Sequence, residues 1–328
     1  MTSHLRSPGA PLFRDHLETK LADWIRPFSA TSRPDVILVG APFSKASISP
    51  SGAALAPQAI RELFRTIATY NVDHDLDLAA TLTACDAGDA IVHSTDVTRS
   101  LAAIRSAVSE VLVTAPLTLP VVLGGDHSIT VPSFEAVRAA VGGPIGLVQL
   151  DAHMDLRNLE DGGATNGTPV RELIEAGMVQ GKHVVQIGLR AFSNAGPYRE
   201  FAMTNGVTQF SARQVVREGM DVLIDRALHT AGDGTVGIYV TVDMDVLDQA
   251  YGPGVAAMGP GGITVWQLFE AVLALGQRST VRAFDIVELD PTQDPRRVTT
   301  RTAAFAMLTF LTGFALGRRA SGGTLPHQ

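Results

Sequence analysis

Six short apolar runs recur along the chain, and each is nearly continuous: VILVGA (Val36–Ala41), LPVVLGG (Leu119–Gly125), IGLVQLD (Ile145–Asp151), HVVQIGL (His183–Leu189), VGIYVTVD (Val236–Asp243) and VRAFDIVEL (Val281–Leu289). A strand with one wet face alternates apolar and polar residues. A strand that is apolar throughout is covered on both faces, which is the habit of parallel sheets. Between the runs lie segments of helical period. They are PQAIRELFRTI (Pro57–Ile67), with proline in its first turn, LAAIRSAVSEVLV (Leu101–Val113), VPSFEAVRAAV (Val131–Val141) and TVWQLFEAVLAL (Thr264–Leu275), where Thr264 reads as an N-cap. Strand and helix in alternation predict an α/β chain, a single three-layer domain with a mostly parallel sheet.

Composition narrows the function. Of 328 residues, 45% are hydrophobic and 18% charged, which supports a large core and excludes a disordered chain. The net charge of −7 argues against a general nucleic-acid binder, which needs a basic face. The single cysteine, Cys85, excludes an internal disulfide and reads as a small buried apolar side chain. Residues 1–15 lack the apolar stretch of a signal peptide. The run from Thr302 to Gly317 is too short for a bilayer and reads as a buried helix. These features predict a cytoplasmic protein with no membrane partner. We divide the chain into an N-terminal extension (1–30), a catalytic domain (31–320) and a disordered tail (321–328).

In open parallel sheets, sites form beyond the carboxyl ends of the strands. Here those ends are chemically loaded. GGDHS delivers Asp126 and His127, DAHMD delivers Asp151, His153 and Asp155, DMDVLD delivers Asp243, Asp245 and Asp248, and the last strand ends at Glu288. Alternate residues of an extended segment share a side. A lone D-x-D is ordinarily a turn or a cap, and a lone GGDHS ordinarily a glycine turn before a helix. Three such segments at successive strand ends call for another account. Uncompensated carboxylates would repel and take up protons. Bound cations reverse that. Aspartate and histidine without thiolate suit Mn²⁺, Zn²⁺, Fe²⁺ or Ni²⁺ more than Ca²⁺. Two metals about 3.5–4 Å apart hold a shared hydroxide and lower its pKa, which is the equipment of a hydrolase.

In order and spacing class, GGDHS, DAHMD and DMDVLD resemble the signatures of the ureohydrolases, the family of arginase, agmatinase and formimidoylglutamase. GAPFS (40–44), GAALAPQAIR (52–61), DAGD (86–89) and GPGG (259–262) extend the resemblance over most of the chain. It implies a sheet of about eight strands, a centre of two Mn²⁺ ions, and assembly into a homo-oligomer, trimer or hexamer. Carried over by residue, His127, Asp151, Asp155 and Asp243 would hold one metal, and His153, Asp151, Asp243 and Asp245 the other. Asp151 and Asp243 would bridge. Asp155 would also orient the hydroxide, and Glu288 would pair with the guanidinium or amidine of a small-molecule substrate. Asp126 and Asp248 read as supporting hydrogen-bond partners or loop caps.

Three departures point within the family. Asn166, in NGTPVRE, stands where arginases and agmatinases carry a histidine thought to shuttle protons. Arg157 follows the second metal motif, and the loop after Asp248 reads GPGVAAMGPGG. All three resemble the formimidoylglutamase branch, which implies hydrolysis of N-formimidoyl-L-glutamate to glutamate and formamide in histidine breakdown. Arg157 could grip a substrate carboxylate and would repel the amine of agmatine. Arg171 and Arg190 are weaker candidates. Anionic guanidino acids would suit Arg157 as well, so a guanidino hydrolase releasing urea is the alternative. A non-catalytic relative would show a gap in the ligand set, and a one-zinc deacetylase would have no use for His153 with Asp245. The remaining histidines (His4, His16, His74, His93, His183, His229, His327) carry no motif.

Overall fold

The computed structural model describes residues 15–320. His4, His327 and the tail at 321–328 lie outside these residues. The strands are β1 (Arg26–Pro27), β2 (Val36–Gly40), β3 (Tyr70–Asn71), β4 (Leu76–Asp77), β5 (Ala84–Asp89), β6 (Leu119–Leu123), β7 (Ile145–Leu150), β8 (Val184–Leu189), β9 (Thr208–Ser211), β10 (Gly237–Asp243) and β11 (Val281–Val287). β3 and β4 form a small antiparallel pair. The other nine make one sheet in the order β1-β5-β2-β6-β11-β10-β7-β8-β9, with every neighbour parallel.

Both faces of the sheet are covered. Helices α1 (Leu21–Trp24), α2 (Ala56–Glu62), α3 (Leu78–Thr81), α8 (Ala212–Glu218), α9 (Met220–Gly232), α10 (Val265–Gly276) and α11 (Val298–Ala320) contribute to one core. Helices α4 (Val97–Thr114), α5 (Thr130–Val141), α6 (Pro169–Glu175) and α7 (Gly196–Thr204) contribute to the other. The strands alternate between the two: Val36 and Leu38 face the first core, Ile37 and Val39 the second. Each such side chain removed from water contributes roughly 1.5–3 kcal/mol. Thr264 caps α10 in a full capping box with Gln267.

Among the described residues the sheet has nine strands, close to the expected eight or so, and the structure refines several other expectations. β1, β5 and β9 were not among the apolar runs, because they are short, polar and near the sheet edges. The helix expected over Pro57–Ile67 ends at Glu62 and tightens into a 3₁₀ turn, Leu63–Arg65. The expected extension at 1–30 is part of the folded unit from its second half onward. Leu21 and Trp24 are buried, Trp24 Nε1 donates to the Leu82 carbonyl at 2.8 Å, and β1 pairs with β5. Cys85 is buried as expected. The run at Thr302–Gly317 lies within α11, and no helix among the described residues is long and apolar enough to cross a membrane.

The strand order positions the site. The chain builds outward to β9 and then returns, inserting β10 and β11 between β6 and β7. Loops leaving the strands on either side of such a reversal part and leave a crevice. Register makes the floor level. Leu150 pairs with Val242, Asp243 with Val287, and Ile286 with Leu123. The ends of β6, β11, β10 and β7 therefore stand side by side. Gly125 lets the loop after β2 cross this floor: a Cβ there would lie 1.7 Å from the Phe43 carbonyl oxygen. We expect Gly125→Ala to lower unfolding free energy by about 1–3 kcal/mol or more, measured by denaturant titration, because a backbone atom must move. An unchanged midpoint would refute this tight crossing.

Candidate metal centre

Four strand ends supply the site. β6 runs into Gly124–Gly125 and a turn bearing His127, β7 into Asp151, β10 into Asp243, and β11 into Glu288. His127 is buried, and its Nδ1 lies 2.9 Å from Asp155 Oδ2, 3.1 Å from Asp151 Oδ2 and 3.2 Å from Asp243 Oδ2. Its Nε2 lies 2.9 Å from the Thr241 hydroxyl, two residues back on β10. On the other side of Asp151, His153 Nδ1 is 2.9 Å from Asp245 Oδ2 and 3.5 Å from Asp151 Oδ1. Two groups of ligand-type side chains result: His127, Asp151 and Asp243, and Asp151, His153 and Asp245. Asp151 belongs to both, one oxygen toward each. Asp243 falls in the first group, and its Oδ1 accepts from the Asp245 amide at 2.8 Å. Asp155 joins the first through His127.

The donor set fits divalent cations. Three carboxylate oxygens converge on one imidazole nitrogen, which can carry a single proton. One N–H cannot satisfy three acceptors, whereas a cation can.

The electrostatics report the same crowding. Burial and then the charge of Asp151 push Asp155 up to about 7. Burial, then Asp245 and Asp151, hold Asp243 well above the usual carboxylate range. Burial and then Asp126 raise Glu288 to about 8. Burial opposes the charge on His153, but Asp245 and Asp151 outweigh it and carry it up to about 12. His127 is likewise raised against its burial by Asp155, Asp151 and Asp243. Asp151 alone is lowered, because His127 and His153 overcome its burial.

A cleft of about 180 Å³ opens over these groups. Its lining includes His153, Asp155, Arg157, Asn166, Asp243, Asp245 and Glu288, and no second histidine among the described residues. Asp155 and Glu288 both have left-handed backbones, with φ of 52° and 64°. Such conformations cost non-glycine residues of order 1–3 kcal/mol and gather at functional sites. Glu288 Oε1 accepts from the His127 amide at 2.7 Å and from Asn166 Nδ2 at 3.0 Å. Asn166 Oδ1 in turn accepts from the Ile48 amide at 3.0 Å. The residue in place of a histidine thus fastens Glu288 to the loop after β2.

The arginines separate. Arg157 is exposed on the cleft, and no ion pair to it is found among the described residues, not even with nearby Glu160 or Asp161. Arg171 pairs with Glu175 at 2.7 Å and stacks on Phe201, away from the lining. Arg190 is buried and donates to the carbonyls of Ala257, Gly259 and Asp245. It clamps the glycine-rich loop and does not line the cleft. Asp126 caps the turn after β6 through Ser128 and accepts from the Ala46 amide, and Asp248 accepts from the amides of Ala250 and Gly261.

Sequence reasoning missed the groups behind the ligands. Gln149 Nε2 donates to Asp151 Oδ2 and Asp155 Oδ2. Asn194 brackets His153 by accepting from the Met154 amide and donating to the Ala152 carbonyl. A glutamine two residues before Asp151 in an apolar run was the available signal. Loading a divalent cation onto metal-free protein should displace protons from the raised carboxylates and imidazoles. Calorimetry at pH 7 in buffers of different protonation enthalpy should show at least one proton released per chain. Affinity should then climb about tenfold per pH unit for each proton released. A buffer-independent heat would contradict the convergent site.

The chain is similar along most of its length to proteins of known activity. The chain is 45% identical over 309 residues to a formimidoylglutamase of Halalkalibacterium halodurans, covering 94% of this chain and 96% of that one. The crystal structure of formimidoylglutamase from Bacillus subtilis superposes with a TM-score of 0.92 at 37% identity, covering 95% and 97% of the two chains. A Trypanosoma cruzi formiminoglutamase solved with Mn²⁺ shares the fold, with a TM-score of 0.82 at 24% identity over 91% of this chain and 99% of that one. The profile of the arginase family matches residues 34–313. With that match over most of its length, the chain belongs to the arginase family.

Proposed function

We propose that the protein hydrolyses N-formimidoyl-L-glutamate to L-glutamate and formamide. The observation that carries this reading is the 45% identity to a formimidoylglutamase along nearly the whole chain. The cleft supports it, because an unpaired arginine stands beside an acidic floor. The substrate is matched to that polarity: a cationic amidine at one end and carboxylates at the other.

His127, Asp151, Asp155 and Asp243 would hold one Mn²⁺ ion and His153, Asp151, Asp243 and Asp245 the other, and the pair would supply Lewis acidity and an activated water at neutral pH. The protein's own groups do the rest. Glu288 receives the amidinium; both of its hydrogen bonds go to Oε1, which leaves Oε2 for substrate N–H donors. A bound amidinium favours its charged form against the burial that raises it. Asn166 keeps Glu288 aimed. Asp155, on the cleft wall, accepts a proton from the attacking water and returns it to the departing nitrogen. Water adds to the amidine carbon, the bond to the glutamate nitrogen breaks, and that nitrogen leaves as the amine. Arg157 grips a substrate carboxylate through paired N–H donors. The family resemblance also points to a trimer or hexamer, which light scattering reads directly.

The manganese-loaded protein should release formamide from N-formimidoyl-L-glutamate. It should release no urea from agmatine, 4-guanidinobutyrate or L-arginine offered beside it. Urea from any guanidino compound would move the protein to another branch and leave the two-metal hydrolase standing. Arg157→Ala should raise KM for the anionic substrate roughly 10- to 100-fold, the worth of a charge-assisted contact, with metal content unchanged. Unaltered kinetics would remove Arg157 from the substrate.

A further inference from the structure

Three glutamines lie side by side across the sheet. Gln149 on β7 pairs with Gln186 on β8, which pairs with Gln209 on β9. Gln149 and Gln186 are fully buried. Their amides join head to tail. Gln149 Nε2 donates to Asp151 Oδ2 at 2.6 Å and Asp155 Oδ2 at 3.1 Å. Gln149 Oε1 accepts from Gln186 Nε2 at 2.6 Å, whose other hydrogen goes to the Met154 carbonyl at 2.6 Å. Gln186 Oε1 accepts from Gln209 Nε2 at 2.5 Å, and Gln209 Oε1 accepts from Nη1 of the exposed Arg199.

The chain of bonds has one direction. Carboxylates and a backbone carbonyl only accept, and a guanidinium only donates. With acceptors at the inner end and a donor at the outer end, a single choice of amide orientation satisfies every link. Turning one amide over would set oxygen against oxygen on one side and N–H against N–H on the other. A buried group left unpaired costs about 1–3 kcal/mol. The cost of burying two amides in strands otherwise built of Val, Ile and Leu is met only by what they hold: two carboxylates, and the carbonyl of Met154 just before the left-handed backbone of Asp155.

We infer that Gln149, Gln186 and Gln209 are positioning residues that orient the Asp151 and Asp155 carboxylates toward bound cations, with Arg199 setting the direction of the relay from the surface. The inference rests on the proposed role of Asp151 and Asp155 as metal ligands. Two strand spacings, about 10 Å, separate Gln149 from Gln209.

The test is Mn²⁺ affinity of the full chain, by competition with a chelator, for the wild type, Gln149→Leu, Arg199→Ala and Arg199→Glu. Coulomb attraction alone predicts that removing a surface cation, or replacing it by a carboxylate, leaves Mn²⁺ binding unchanged or tightens it. The relay predicts the opposite sign. Arg199→Ala should weaken binding about threefold to tenfold, and Arg199→Glu further, because a carboxylate competes for Gln209 Nε2. Gln149→Leu should weaken it about 10- to 100-fold, as loss of partners behind metal ligands does. Equal or tighter binding by both Arg199 variants overturns the relay, and they decide the matter if Gln149→Leu fails to fold. Folded Gln149→Leu that binds within about twofold of wild type overturns the positioning role. A wild-type chain that takes up no Mn²⁺ overturns the metal reading, and this inference with it.

Discussion

Asp151 offers one carboxylate oxygen to the group around His127 and the other to the group around His153. Its neighbours are more carboxylates, and their mutual repulsion at short range in a dry interior is the condition that the surrounding structure answers. Level parallel register brings the strand ends to one height. Backbone amides of His127, His153 and Asp245 point donors at the carboxylates. Imidazoles stand between like charges and share protons with them. The result is a pocket that favours added positive charge, in keeping with a family of metal-assisted hydrolases and an amidine substrate.

Asn166 shows how a substitution within a shared framework can alter chemistry without moving it. Its amide spans Glu288 and the Ile48 amide with one acceptor and one donor, as a neutral histidine would. Unlike histidine it cannot titrate, so any change of this contact with pH comes from Glu288, whose carboxyl is raised to about 8. Proton traffic is then left to groups already in the cleft, and the proposed mechanism assigns it to Asp155, whose carboxyl is raised to about 7. Arg157, also in the lining, adds a positive charge to this acidic cleft.

Much of this was legible in the chain. Continuous apolar runs specify a sheet covered on both sides, and acid and imidazole at their ends mark the rim where parallel sheets hold ligands. The residues gathered at the centre were all named on that basis. The strands β1, β5 and β9 were not, since segments of two to six residues rich in polar side chains, proline or glycine carry no apolar period. Arg190 stayed a weak candidate for a related reason, since an arginine at a strand end looks the same in sequence whether it faces a ligand or backbone carbonyls. The buried amides behind the ligands were missed because a single glutamine in an apolar run shows its purpose only once the next strand supplies another beside it.

The return of the chain to the middle of its own sheet bears on how the protein comes into being during synthesis. Asp151 and Asp155 leave the ribosome about ninety residues before Asp243, and His127 earlier still, yet the strands that carry Asp151 and Asp243 are hydrogen-bonded neighbours. Until β10 and β11 arrive, β6 and β7 have no partners on their inner edges. A nascent chain therefore carries two open sheet edges and half a set of acidic side chains. Such long-range parallel pairing is slow and leaves edges exposed to wrong partners. Closure of the gap completes the fold and the acidic centre in one event, so a chain with its full set of ligand-type side chains is by construction one that has finished folding.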